Sequence, residues 1–141
     1  MNDGIKQENI KQYLSAFTNN IDEKNYVYCQ IKPVTIISWI TNILRFGQAS
    51  IMYFSENEIV FLHLNRMGNY VGNTTIIPYE DINHFDRVSF AAIHLMLIKC
   101  NVNKDMSITI PKLLLGGKWQ SENLKNLLDN DFYKDIWQKN S

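Results

Sequence analysis

The sequence predicts an α+β domain: a mostly antiparallel sheet with helices at its ends. Three observations carry this. Apolar residues recur at helical spacing near both termini. From residue 49 onward, short apolar runs alternate with turn residues. The resulting order reads helix, strand, short helix, six strands, helix.

Residues 3–21 read as an amphipathic helix, because Ile10, Tyr13, Leu14, Phe17 and Ile21 fall on one face. Asp3 is placed to cap its start, and Asn19-Asn20 weaken its end. The period then changes. Tyr26–Ile31 is β-branched and aromatic enough for a strand, and Pro33 closes it. The segment 34–46 fails as a strand, since its isoleucines fall on both parities. As a helix it places Ile36, Trp39, Ile40 and Ile43 on one face, and Thr35, Ser38, Asn42 and Arg45 on the other.

Ala49–Phe54 and Glu58–Leu64 form a hairpin around Ser55-Glu56-Asn57. Residues 65–73 hold Gly68, Asn69, Gly72 and Asn73 and read as a loop. Thr74–Tyr79, Ile82–Phe90, Ile93–Cys100 and Met106–Ile110 are the remaining strands. Pro78 lies near the end of the first of these, where a missing N–H does least harm. Gly116-Gly117 turns the chain into a final helix, 118–128, with Leu124, Leu127 and Leu128 on one face. Phe132 and Ile136 continue that face if the helix runs on.

Composition bounds the function. A chain of 141 residues is about one domain. Fourteen basic residues balance fourteen acidic ones, for a net charge of +0. A dedicated nucleic-acid binder carries a basic excess, so nucleic acid is not an expected partner. The N-terminus shows no basic region followed by an apolar one, which predicts a cytoplasmic protein. The apolar stretch 34–46 is short of the roughly 20 residues that span a bilayer. Cys29 and Cys100 lie far apart in apolar runs and read as buried, reduced thiols.

No motif announces chemistry. His63, His84 and His94 each lie in a strand without a second His or Cys at metal-ligand spacing. His84 and Asp86 share a strand face, and a nearby His94 would complete an acid–base set. No nucleophile motif accompanies it, and hydrogen-bonded strand histidines are the simpler expectation. Gly116-Gly117-Lys118 lacks the earlier glycine and the following Ser or Thr of a phosphate loop. Glu80, Asp81 and Asp86 lack calcium-loop spacing and read as solvated turn carboxylates. No catalytic residue, metal or cofactor is assigned.

The second half resembles a known family. The hairpin Ile51-Met-Tyr-Phe-Ser-Glu-Asn-Glu-Ile-Val-Phe-Leu62 is similar to the second and third strands of bacterial pleckstrin-homology-like (PH-like) domains. Ile76-Ile-Pro-Tyr-Glu-Asp-Ile82 resembles the Ile-Pro element that opens the next strand there and in GRAM domains. The helix 119–128 sits where such domains place a helix that plugs the barrel. The resemblance implies a PH-like antiparallel barrel of about seven strands with a C-terminal capping helix. It also implies two nearly orthogonal sheets, with residues 25–141 as the domain and 1–24 as a helical extension. The basic cluster of phosphoinositide-binding members is missing, with Arg45 alone in that region, so that activity is not carried over.

The expected function is therefore a non-enzymatic binding or scaffold domain, with a protein partner or a second copy of itself. Peripheral binding to membrane lipid is the alternative, through the 34–46 helix. Ile36, Trp39, Ile40, Ile43 and Arg45 are the candidate interface in either case. The lipid version expects Trp39→Glu to abolish vesicle binding.

Overall fold

Strands buried on both faces read as continuous apolar runs, whereas half-exposed strands alternate. Both kinds occur in this chain, and their distribution explains the architecture. A computed structural model describes residues 5–33, 48–65 and 68–135. Helix α1 (Gln7–Leu14) is followed by strands β1 (Tyr26–Pro33), β2 (Gln48–Phe54), β3 (Glu58–Leu64) and β4 (Tyr70–Pro78). A 3-10 turn (Tyr79–Asp81) leads to β5 (Ile82–Phe90), β6 (Ile93–Cys100) and β7 (Met106–Pro111). Helix α2 (Trp119–Asp129) and a second 3-10 turn (Asp131–Tyr133) complete the described chain. The predicted short helix at 34–46 lies outside the described residues, as do Asp3 and Ile136.

The strands form one antiparallel sheet in the order β4-β3-β2-β1-β7-β6-β5. Two meanders are joined where β1 pairs with β7, Gln30 opposite Thr109 and Pro33 opposite Met106. The ladder is thus continuous, not divided into two separate sheets, and β4 and β5 are its edges. Six inter-strand steps would put those edges about 29 Å apart in a flat sheet. Yet only Tyr79–Asp81 connects them, and the backbone from Pro78 to Ile82 reaches about 14 Å at most. The sheet therefore curls back on itself, open between β4 and β5.

The curl encloses the main core. Val27 and Cys29 of β1, Met52 and Phe54 of β2, Ile59 and Phe61 of β3 and Ile77 of β4 face inward. They meet Phe85, Met96, Ile98, Ile108 and Ile110 of the other meander, and Leu124, Leu127 and Phe132 fill one end. A second core lies on the outer face of β1–β4. There Tyr26, Ile51, Tyr53, Val60, Leu62 and Leu64 are covered by Ile5, Ile10, Leu14, Leu114 and Trp119. The apolar runs of β2 and β3 thus belong to strands with a core on each side. The outer face of β5–β7 carries no such cover among the described residues, and Val88 is 56% exposed there.

Helix α2 docks through amides as well as leucines. The register of β7 starts on β1 at Gln30, so the backbone of Tyr28 lacks a strand on that side. Gln120 replaces it, accepting from Tyr28 N at 2.8 Å and donating to Tyr28 O at 2.9 Å and Pro111 O at 2.8 Å. One turn on, Asn123 donates to Glu23 O and Tyr26 O. Gly116 takes the left-handed φ of +80° that starts the turn into α2, and a Cβ on Gly117 would meet Leu114 Cδ2 at 2.7 Å.

Several expectations are corrected. Helix α1 ends at Leu14, not near residue 21. Ser15 takes the Gln12 carbonyl at 2.6 Å, and Phe17 N donates to Leu14 O, tightening the last turn. Phe17 is consequently 40% exposed. The loop expected over 65–73 is shorter, because β4 begins at Tyr70 opposite Leu64. Helix α2 stops at Asp129, and Phe132 is buried by a turn rather than by a continued helix face.

Candidate functional site

The candidate interface residues Ile36, Trp39, Ile40, Ile43 and Arg45 lie outside the described residues. The acid–base set is not assembled. His84 and Asp86 bond to each other at 2.7 Å on the exposed side of β5. His94 is buried at 2% exposure, alongside Met96 and Ile98 on the core side of β6. The strand alternation puts the pair and the third member on opposite faces of one sheet.

His63 meets the simpler expectation. Its Nδ1 pairs with Ser50 Oγ and its Nε2 with Thr75 Oγ1, each at 2.7 Å. Burial holds its imidazole below the ordinary histidine range. Asp81 departs from the expected solvated carboxylate. It is 7% exposed, accepting from Val102 N at 2.7 Å, Asn103 N at 3.1 Å and Asn103 Nδ2 at 2.7 Å. Burial alone would raise its carboxyl, but these donors hold it below the usual value. It ties the β4–β5 connection to the β6–β7 turn.

His94 is the exception among the histidines. Neither ring nitrogen has a hydrogen-bond partner. In register, Ser89 of β5 sits opposite His94, and Arg87 opposite Met96, so both belong to the inward row. Lys112, just past β7, donates from Nζ to Ser89 Oγ at 2.6 Å. Arg87 reaches Asp131 Oδ1 through Nε at 3.1 Å and Nη2 at 2.8 Å. Phe132 roofs the cluster, stacked on the His94 ring at 5.8 Å with 26° between planes. The Arg87 guanidinium carbon lies 5.7 Å from the Phe132 centroid. Burial first, then the charges of Arg87 and Lys112, hold the His94 imidazole below its ordinary range.

The roof is held by unusual backbone. Asp131, Phe132 and Tyr133 take φ of 50°, 52° and 58°, each at a cost of roughly 1–2 kcal/mol for an L-residue. Full burial of Phe132 returns about 1.5–3 kcal/mol, and the Tyr133 hydroxyl donates to Asn25 Oδ1 at 2.6 Å. The sequence held one clue to this cluster: Arg87, Ser89 and His94 occupy core-parity positions of two strands. Asp131, Phe132 and Lys112 lie outside the strands, where strand parity carries no signal.

The thiols offer no second site. Cys29 is buried, Cys100 is half-buried, and both are free. Burial, with Asp81 and Asp105 nearby, pushes the Cys100 thiol up to about 11. Among the described residues, no group of three or more His, Cys, Asp or Glu is arranged to hold a metal ion. No helix among them is long and apolar enough to cross a membrane. No protein-family model and no curated protein sequence matches the chain.

Proposed function

We propose that this chain is a non-enzymatic, PH-like binding domain that takes up a protein segment by strand addition at β5. The observation that carries the proposal is the free edge of β5. Nine residues long, it pairs with β6 on one side and, among the described residues, with no strand on the other. Extended peptides bind such edges by main-chain hydrogen bonds, with alternate side chains setting specificity. The other edge, β4, belongs to the half of the sheet whose outer face α1 covers. Beside β5, Val88 is exposed and Ile93, Leu95 and Leu97 are half-buried, giving an incoming strand apolar contacts outside. The paired meanders and the helix wedged against β1 support the PH-like reading.

The test selects peptides from a random library and maps their footprint by amide hydrogen exchange. The reading expects new protection along β5 and loss of binding in Val88→Lys, since an edge lysine opposes strand pairing. A footprint confined to β4 or α2 refutes it. The same edge would mediate self-association, which sedimentation would show as a concentration-dependent dimer that Val88→Lys abolishes.

A further inference from the structure

We propose that Arg87, Ser89, His94 and Lys112 form a binding site for a small oxyanion, the phosphate or carboxylate group of a ligand. The argument starts from His94. A neutral imidazole carries one donor and one acceptor, and a protonated one carries two donors. Buried polar groups are almost always partnered. Here a ring that is 2% exposed has neither nitrogen satisfied.

The surroundings specify what is missing. Two cations face the ring, Arg87 from β5 and Lys112 from just past β7. Asp131 bonds to the Nε and Nη2 edge of Arg87. Lys112 rests on the neutral Ser89 hydroxyl, whose own proton is left to donate. A group that accepts from His94 N–H, accepts from Ser89 and offsets the Lys112 charge is an oxyanion. Water satisfies the nitrogens but leaves the charge. Phe132 covers the His94 ring, whereas Arg87 and Ser89 are exposed and leave a way in for the ligand. Charge-assisted hydrogen bonds to it are stronger than neutral ones. This site stands whether or not β5 accepts a strand.

The test follows the histidine side-chain signals by NMR in the intact protein. Three titrations at matched ionic strength use sodium phosphate, sodium acetate and sodium chloride. The proposal expects a saturable shift of the His94 signal with phosphate or acetate, and none with chloride. The anion that saturates first identifies a phosphoryl or a carboxyl ligand. His84, exposed and already bonded to Asp86, is the internal control. Lys112→Gln, at a half-buried position outside the strands, is expected to keep the dispersed spectrum and weaken binding about tenfold. The proposal is overturned if neither oxyanion saturates, if chloride reproduces the shift, or if Lys112→Gln binds like the wild type.

Discussion

Replacing His94 with leucine is expected to stabilise the protein in buffer free of phosphate and carboxylate. Leucine is close to histidine in volume and brings no polar atom. Each buried donor or acceptor left unpaired costs about 1–3 kcal/mol, and His94 has two such nitrogens. Against that gain stands the ring stack on Phe132, with such pairs contributing about 0.5–1.5 kcal/mol. Even at the low end of the first range, the variant gains about 1 kcal/mol at pH 8. In urea this is a midpoint increase of roughly 0.5 M.

Acid widens the gap. Burial, then Arg87 and Lys112, lower the proton affinity of folded His94, while Asp131 is the facing carboxylate. As pH falls below about 6.5, the unfolded chain takes up a proton that the folded one resists. Stability is then lost with falling pH. At pH 5 this loss is at most about 2 kcal/mol, from 1.36 kcal/mol per pH unit, and leucine abolishes it. His63 is also lowered by burial, but it is present in both proteins and cancels in the comparison. Urea unfolding at pH 8 and pH 5 in chloride-only salt reads both components. A loss exceeding about 1 kcal/mol at pH 8, or a gap that narrows in acid, would sink the view of His94 as unpartnered.

Two further predictions concern the framework. Gln120→Leu orphans Tyr28 N, Tyr28 O and Pro111 O, a loss of about 3 kcal/mol or more. A urea midpoint near that of the wild type would show that water replaces the amide. Asp81→Asn targets the acid limb. The folded carboxyl lies below its ordinary value of 3.8, so its contribution is present above about pH 4 and is lost as pH falls through the folded value. The variant is expected to be less stable at neutral pH and flatter below pH 4, measured by unfolding free energy against pH.

The sheet was largely legible in the sequence because seven apolar runs of strand length are separated by turn residues. Glu58–Leu64 and Ile82–Phe90 have the expected bounds. The limits of α1 were not legible, because apolar spacing continues through Phe17 while Ser15 and the following backbone end the helix. The β5–β6 turn uses Ala91 at a φ of 53°, with none of the Gly or Asn that signals such conformations. Asp81 looked like any turn carboxylate, since its donors lie about twenty positions downstream in another turn. The His94 cluster needs β5, β6, the end of β7 and the Asp131–Tyr133 turn to meet, which periodicity within one strand does not report. The acid–base reading failed for a related reason: proximity in the chain says little about which face of the sheet a residue joins.

The β1–β7 pairing has a consequence for synthesis. As the chain leaves the ribosome, β1 can pair at once with β2, but its other edge waits for Met106–Pro111 and then for α2. During that interval the first meander presents the main-chain groups of β1 to whatever is near, together with Val27 and Cys29 from its uncovered side. A nascent chain arrested before α2 would carry an open edge where the finished protein has Gln120 and Asn123. Truncations ending ahead of Trp119 are thus the forms most prone to pair with one another, and the last helix serves as the closing clasp of folding.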